Sequence, residues 1–159
     1  MSNDYMFFAG SSHPELSKGV SDYLGVPLGK ITLSKFQCGE NYASINETVR
    51  GRDAYILQTA TPSVNDDFME LFLIMDTLKR CSASSVNVIM PYFGYARQDK
   101  KSAPREPISA RLVADLLAAV QLDRLITMDL HADQIQGFFS QPVDHLTAMP
   151  LFIDYFKEK

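Results

Sequence analysis

The stretch that decides the fold of this chain is residues 86–101, Val-Asn-Val-Ile-Met-Pro-Tyr-Phe-Gly-Tyr-Ala-Arg-Gln-Asp-Lys-Lys. Its first five residues form an apolar run rich in β-branched side chains and closed by Pro91, which is typical of a buried parallel strand. Three aromatic residues and a glycine follow, and then three cations. Ligands of open α/β sheets bind beyond the carboxyl ends of the strands. The loop is therefore predicted to bind a ligand, with flat rings for a nucleobase and cations for its phosphates. A solvated basic loop with two core aromatics is the alternative.

Strand and helix patterns alternate on both sides of this stretch. Strands are predicted at residues 6–10, 31–36, 54–58, 86–90, 124–129 and 143–146, and an antiparallel partner for 31–36 at 42–45. Helices are predicted from Pro14 to Leu24, from about Asn65 to Arg80, from Pro107 to Leu117, from Ala132 to Phe139 and from Pro150 to Phe156. This alternation predicts an α/β fold with a mainly parallel central sheet and a small antiparallel hairpin.

The first predicted helix carries explicit boundary signals. Ser12 and Glu15 have the spacing of a capping box, and Pro14 stands early, where a missing N–H costs nothing. Leu16, Val20, Tyr23 and Leu24 fall on one helical face, and Gly25 is a stop signal.

Composition limits the class of protein. The 159 residues match one domain, and a net charge of -4 argues against nucleic acid as a partner. Five cations nevertheless lie close together, which favours a small anionic ligand: Arg97, Lys100, Lys101, Arg105 and Arg111. We expect no membrane span, because no apolar run approaches about 20 residues. We also expect no secretory signal, judging from residues 1–4. The two cysteines, Cys38 and Cys81, form neither a metal motif nor a disulfide framework and fit a cytoplasmic protein.

The second candidate site is Asp129-Leu130-His131, at the end of a predicted strand. Residues two apart in a strand face the same way, so both polar side chains would point into the crevice if extended geometry persists. Asp129 is then a plausible ligand for Mg²⁺ held jointly with a nucleotide, and His131 a partner for a phosphate oxygen or a metal-bound water. The alternative, equally open, has Asp129 capping the next helix and His131 at the surface.

Other polar residues carry weaker signals. Glu40, in the loop Phe36-Gln37-Cys38-Gly39-Glu40, could accept from an amino group on a base, although a solvated turn is the commoner explanation. His13 and His145 lack partners in the sequence and are assigned no catalytic role. The chain has no Walker A loop, dinucleotide fingerprint or nucleophile elbow, so no residue is assigned as a catalytic nucleophile.

Taken together, several segments resemble a known family. They are Gly51-Arg52-Asp53-Ala54-Tyr55-Ile56, Met69-Glu70-Leu71, Pro91 to Asp99, and Asp129 to Phe139. In order and spacing they closely resemble the amino-terminal half of ribose-phosphate pyrophosphokinase, also called phosphoribosyl pyrophosphate synthetase, over essentially all 159 residues. The resemblance implies a phosphoribosyltransferase-like three-layer α/β/α domain, residues 1–159, as the ATP-binding first domain of a two-domain enzyme whose second domain is absent.

The resemblance also implies a reaction: the diphosphoryl group of Mg-ATP passes to the 1-hydroxyl of ribose 5-phosphate, in cytoplasmic homo-oligomers that are usually hexamers. By similarity, the ATP-binding residues are Phe36, Cys38, Glu40, Arg97, Gln98, Asp99, Lys100, Lys101 and His131, the first three reaching the adenine of a neighbouring subunit. Asp129 and His131 would contact Mg²⁺, and Thr48, Arg50 and Ser82 would contact phosphate at a regulatory site. Cys38 departs from the family's Asp or Asn, which puts one adenine contact in doubt.

Three functions follow as hypotheses. The first is the amino-terminal domain of the synthetase, expected to be inactive alone because the family's acidic ribose loop and mobile cationic loop lie in the second domain. The second is a non-catalytic regulatory half-subunit that pairs with a full-length synthetase, against which the retained Arg97 and His131 count. The third is a phosphoribosyltransferase, against which the lack of an acidic phosphoribosyl loop counts.

Overall fold

The computed structural model describes residues 5–159, so the expectation drawn from residues 1–4 concerns residues outside this range. The elements, in chain order, are β1 (Tyr5–Ala9), α1 (Pro14–Leu24), β2 (Ile31–Lys35), β3 (Asn41–Ile45), β4 (Asp53–Leu57), α2 (Val64–Arg80), β5 (Ser85–Met90), α3 (Ser109–Ala119), β6 (Arg124–Met128), a 3₁₀ helix (Asp133–Phe138), β7 (Val143–Leu146) and α4 (Met149–Lys157). Among these helices none is both long and apolar enough to cross a bilayer.

Five strands form one parallel sheet in the order β1-β4-β5-β6-β7, and β2 and β3 form a separate antiparallel hairpin. One row of the parallel sheet runs through Phe8, Ile56, Val88 and Leu125, which pair in register from strand to strand. All four are fully buried, as the near-continuous apolar strands of a parallel sheet require. The predicted fold class, a mainly parallel sheet with a small hairpin, is confirmed.

Helices cover the two faces of the sheet unequally. On one face, α2, α3 and the 3₁₀ helix supply Leu71, Met75, Val113, Leu117 and Ile135 to the main core, and the hairpin packs against it as well. On the other face a smaller cluster centres on Phe7, Val26 and Leu57, with Leu16 and Val20 of α1 against it. The sheet is therefore the middle of three layers. Of the two outer layers, the one formed by α1 is the thinner.

The predicted apolar face of α1 is only half correct. Leu16 and Val20 pack on the sheet, whereas Tyr23 is 91% and Leu24 52% exposed. Helix α4 is exposed to a greater extent, because none of its residues is buried. Its exposed apolar side chains are Met149, Leu151, Phe152, Ile153, Tyr155 and Phe156.

The predicted capping box at the start of α1 is wrong. The cap is His13, whose Nδ1 accepts the N–H of Leu16 at 3.2 Å. Ser12 is unavailable because its hydroxyl accepts the N–H of Thr59 at 3.0 Å, at the end of β4. A contact between distant segments thus replaces the local one. The predicted stop at Gly25 is confirmed by its left-handed φ of 64°.

Two other predicted boundaries move. Helix α3 begins at Ser109 rather than Pro107, with Ile108 as a cap that lacks a side-chain acceptor. The segment predicted as a helix at 132–139 is a 3₁₀ helix, Asp133–Phe138. Such short turns are common connectors, and its single fully buried side chain, Ile135, ties it to the main core.

Candidate nucleotide site at the carboxyl edge of the sheet

Two loops meet beyond the carboxyl ends of β5 and β6. They enclose a hollow of about 150 Å³ lined by Tyr92, Phe93, Ala96, Arg97, Asp129, Leu130 and His131. The strand ends are joined directly, since the N–H of Met128 donates to the carbonyl of Pro91 at 3.1 Å. The two candidate sites of the sequence analysis are therefore one site.

The aromatic-cationic loop, residues 91–101, is fixed by close packing. A side chain at Gly94 would lie 2.8 Å from atoms of both Phe68 and Val64, so the loop backbone lies directly on α2. Tyr95 follows with a left-handed φ of 64°, an uncommon conformation for a bulky residue. This reversal of the chain presents Arg97 toward the hollow.

The three aromatics of this loop have different roles. Phe93 is 2% exposed, with ring contacts to Phe68 and Phe139. Tyr95 packs on Phe68 and its hydroxyl donates to Asn65 Oδ1. Only Tyr92, 56% exposed, remains as a free flat ring at the hollow. The alternative of a core aromatic is therefore correct for Phe93, whereas Tyr95, still 39% exposed, is held at the surface by Phe68 and Asn65.

Strand β6 ends one residue earlier than predicted, at Met128. Asp129 adopts a left-handed φ of 46°, so the extended geometry invoked to align Asp129 with His131 does not persist. Aspartate tolerates this region better than most residues. The turn, rather than strand alternation, brings both side chains to the same hollow.

The carboxylate of Asp129 is partly engaged. Its Oδ2 accepts the N–H of Ala148 at 3.2 Å, just before α4. Asp129 therefore does not cap the 3₁₀ helix that follows it, as the alternative had it. Its carboxylate contacts the backbone at the start of α4 instead. Oδ1 has no hydrogen-bond donor among residues 5–159 and can accept or coordinate a ligand.

Arg97 and His131 are exposed at the rim of the hollow. Within the described chain neither side chain makes a hydrogen bond or an ion pair. The site therefore combines a free guanidinium, a free imidazole and a half-free carboxylate. Such a set suits an anion of several oxygens, with a cation beside the carboxylate.

The rest of the predicted cationic loop is only partly free. Gln98 Oε1 accepts from the hydroxyl of Ser109 at the start of α3. Asp99 Oδ2 accepts from Gln134 Nε2 at 2.8 Å, which joins this loop to the 3₁₀ helix. Lys100 and Lys101 are exposed. The Asp99 carboxylate is thus used in a contact within the chain, whereas the two lysines are available to a ligand.

The hairpin-tip residues, Phe36, Cys38 and Glu40, lie apart from the lining of this hollow. All three are exposed, and the tip is closed by the N–H of Phe36 donating to the carbonyl of Glu40 at 2.9 Å. The strand end next to the tip is tied to α2 by Lys35, whose Nζ lies 2.7 Å from Asp66 Oδ2. The tip is therefore an exposed turn whose adjoining strand is anchored on α2.

The residues predicted to bind a regulatory phosphate lie in turns that precede β4 and β5, at the opposite edge of the sheet. The two turns are joined by Gly51, whose N–H donates to the carbonyl of Ser82 at 2.9 Å. Arg50 directly precedes this contact, and Thr48 lies two residues before Arg50. The three residues are thus neighbours in the fold and distinct from the hollow.

Sequence reasoning missed two residues that support the site. Gln134 bonds Asp99, and His145, set aside for want of a partner, accepts from the backbone N–H of Leu130 through Nε2 at 2.9 Å. Both contacts join segments that no local pattern connects, so only the polar character of the two side chains could have suggested them.

The donor set fits a magnesium ion only if a ligand shares it. Within residues 5–159, no group of three or more His, Cys, Asp or Glu side chains could hold a metal by itself. Mg²⁺ takes oxygen ligands and commonly uses one or two carboxylates together with substrate phosphates. The free Oδ1 of Asp129 beside an anion site meets that requirement, whereas the imidazole nitrogen of His131 suits the phosphate better.

Comparison with known proteins agrees with this geometry. A family model described as the N-terminal domain of ribose phosphate pyrophosphokinase matches residues 5–120. A ribose-phosphate pyrophosphokinase of Fusobacterium nucleatum is 52% identical over 157 residues, covering 99% of this chain and 50% of that protein. One from Helicobacter pylori is 51% identical over 155 residues, covering 98% of this chain and 49% of that protein.

A solved structure is similar as well. The crystal structure of phosphoribosylpyrophosphate synthetase from Mycobacterium smegmatis superposes with a TM-score of 0.95 at 48% identity, covering 97% of this chain and 52% of that one. The chain thus spans about half the length of the relatives that it matches.

Proposed function

Because this chain belongs to the family of ribose phosphate pyrophosphokinase N-terminal domains, we propose that it binds Mg-ATP in the hollow between residues 91–101 and 129–131. In the full-length protein the diphosphoryl group would pass to the 1-hydroxyl of ribose 5-phosphate, giving phosphoribosyl pyrophosphate and AMP. The supporting observation is the meeting of Arg97, Asp129 and His131 at one hollow. The 159 residues alone are expected to bind without turnover.

Each side chain has a role that follows from its chemistry. Arg97 binds phosphate oxygens through its planar donors and offsets the charge that develops as the diphosphoryl group leaves AMP. His131 donates to a phosphate oxygen from one ring nitrogen. Lys100 and Lys101 add positive charge above the phosphates. Attack by a sugar hydroxyl on phosphorus requires positioning and charge neutralisation, so a protein nucleophile is unnecessary.

Asp129 would hold the magnesium ion through Oδ1 while its Oδ2 stays bonded to Ala148. The ion, when bound, neutralises phosphate charge and orients the β- and γ-phosphates. The protein's contribution is a carboxylate whose direction is already set by the backbone, which lowers the entropy lost on binding.

The adenine would lie against Tyr92 and the hairpin tip of a second copy of the chain. Phe36 and Glu40 are exposed and lie apart from their own hollow, which supports a contribution to a neighbouring subunit. Cys38 offers only a weak hydrogen-bond partner at this tip. This arrangement requires at least two copies of the chain, and the family resemblance implies a hexamer for the full-length protein. Thr48, Arg50 and Ser82, joined at the other edge, remain the proposed regulatory phosphate contacts.

Titration of Mg-ATP into the 159-residue chain, wild type against Arg97→Ala, tests the proposal. Loss of a charge-assisted contact to phosphate should lower the binding free energy by about 1.5–3 kcal/mol. The dissociation constant would then rise roughly ten- to hundredfold. Equal affinities for the two proteins, measured by calorimetry, would remove Arg97 from the site.

Arg80→Ala is the matched control. Arg80 donates to Asp76 at 2.6 Å in the last turn of α2, and this hydrogen bond, with the adjacent charge, raises the pKa of Arg80. It is an exposed arginine outside the hollow. Its removal changes net charge as much as Arg97→Ala does, so it should leave Mg-ATP affinity unchanged.

A further inference from the structure

His145, a partly buried residue outside the proposed binding set, contacts the backbone of the turn that carries Asp129 and His131. His145 lies in β7, with 18% of its side chain exposed, next to Thr127 of β6 in the sheet register. Its Nε2 accepts the backbone N–H of Leu130 at 2.9 Å. Leu130 is the central residue of the turn that carries Asp129 and His131. The contact therefore acts on the backbone between the two proposed ligand-binding side chains.

This turn lacks the usual backbone partners. The strand ladder of β6 ends with the N–H of Asp129 donating to the carbonyl of Leu146 at 3.0 Å. Asp129 then turns into the left-handed region, so the next N–H, that of Leu130, leaves the ladder. A partly buried N–H without a partner is costly. The His145 ring supplies the acceptor at the point where the sheet stops supplying one.

Three contacts from one segment therefore set the turn. Besides the Leu146 carbonyl and the His145 ring, the N–H of Ala148 donates to Asp129 Oδ2 at 3.2 Å. The direction of the Asp129 carboxylate thus depends on residues 145–148 and not on β6 alone. Of the three contacts, only that of His145 uses a side chain of this segment, so it is the one that a substitution can remove cleanly.

The bond also fixes the state of the ring. An Nε2 that accepts an N–H carries no proton, so the neutral ring carries its proton on Nδ1. Nδ1 lies 3.6 Å from Asp133 Oδ1 and 3.4 Å from Gln136 Nε2, on the 3₁₀ helix. A carboxylate on that side favours the Nδ1–H tautomer. The Asp133 carboxylate therefore agrees with the role of Nε2 as an acceptor. The Gln136 amide group, itself a donor, makes no hydrogen bond to an Nδ1 that carries the proton.

We propose that His145 is a positioning residue for Mg-triphosphate binding: by accepting the N–H of Leu130, it holds the turn that aims Asp129 and His131 into the hollow. The inference rests on the proposed function of that hollow. His145 itself touches neither the nucleotide nor the magnesium ion.

The test compares His145→Leu with His145→Gln in the 159-residue chain. Leucine fills the space without an acceptor, whereas the Oε1 of glutamine can stand where Nε2 accepts. Residues that orient metal ligands typically change affinity by about 10- to 100-fold. We expect His145→Leu to weaken Mg-ATP binding about tenfold and His145→Gln to restore most of that loss. Hydrogen exchange of the Leu130 amide, followed by NMR, should accelerate in His145→Leu and stay slow in His145→Gln.

The outcomes separate this proposal from the function it rests on. If Arg97→Ala weakens Mg-ATP binding but His145→Leu does not, the positioning role is overturned and the site stands. If Arg97→Ala has no effect, the proposed function fails first. Should His145→Leu not fold, the wild-type protein still decides, because a Leu130 amide that exchanges as fast as one in an open loop would show that the bond is not formed.

Discussion

Gly94 shows how one residue without a side chain shapes the candidate site. The backbone at Gly94 lies so close to α2 that a Cβ would come within 2.8 Å of Phe68 and Val64 and 3.0 Å of Ala60. Replacing it with alanine must therefore displace the loop or the helix. We expect Gly94→Ala to lower the free energy of unfolding by about 1–3 kcal/mol, the usual cost of overpacking. Urea unfolding followed by circular dichroism measures the change.

Gly19→Ala is the matched control for this substitution. Gly19 lies within α1, and a Cβ there would meet nothing within 4 Å. Alanine should stabilise the helix by about 0.5–1 kcal/mol. If Gly94→Ala lost no stability relative to the wild type, as expected for Gly19→Ala, the close approach at Gly94 would not exist in solution.

At the scale of residues, the sequence predicts which side chains form the site better than it predicts how they are held. Arg97, Asp129 and His131 follow strand signals, and parallel strands bring their carboxyl ends to one edge. The left-handed turn at Asp129 and the support from His145 depend on β7 lying beside β6. No local pattern encodes that neighbourhood, so these features emerge only from the assembled sheet.

Among the elements, α2 connects the loops around the site. Its buried Glu70 accepts from the N–H of Ser11 at 2.7 Å, from the Ser11 hydroxyl at 2.9 Å and from Gln58 Nε2 at 2.9 Å. One carboxylate thus satisfies donors that follow β1 and β4. The first turn of α2 also holds the hairpin through Asp66 and the aromatic-cationic loop through Asn65.

Removal of the buried carboxylate should be costly. Glu70→Ala removes one acceptor of the buried Gln58 amide and the acceptor of two part-buried donors of Ser11. Hydrogen bonds to charged groups are worth about 1.5–3 kcal/mol. We expect an unfolding free energy lower by at least that amount. Thermal and urea unfolding of the purified variants measure it.

Asp66→Ala provides the comparison on the same helix. The Asp66 pair with Lys35 is exposed, at 58% and 51% of the two side chains, and surface pairs contribute about 0–1 kcal/mol. Equal destabilisation by the two substitutions would contradict the view that the Glu70 cluster, rather than surface charge, anchors α2.

Element types follow from the sequence more reliably than element ends. The apolar periodicity of α2 and the continuous run of β5 define those elements locally. The start of α1 does not, since Ser12 bonds Thr59 and leaves His13 as the cap. Caps and strand ends are decided by competition between local and distant partners, which a single sequence does not display.

For the whole molecule, function depends on the edge at which polar groups collect. The strands bury an apolar core along their length, while the carboxyl edge gathers the polar side chains of Arg97, Asp129 and His131 around one hollow. The opposite edge brings Arg50 near Ser82. The two edges of the parallel sheet thus carry different groups, and the proposed triphosphate site lies at the carboxyl edge.

The most direct test locates the metal–nucleotide complex on the folded chain. Mn²⁺-ATP, used in place of Mg-ATP, broadens NMR signals of amides near the bound ion. The account predicts that the amides of Tyr92, Arg97, Leu130 and His131 broaden first, while that of Gly19 in α1 is unaffected. Broadening centred elsewhere, with the signals of Arg97 and His131 unchanged at saturating Mn²⁺-ATP, would contradict it.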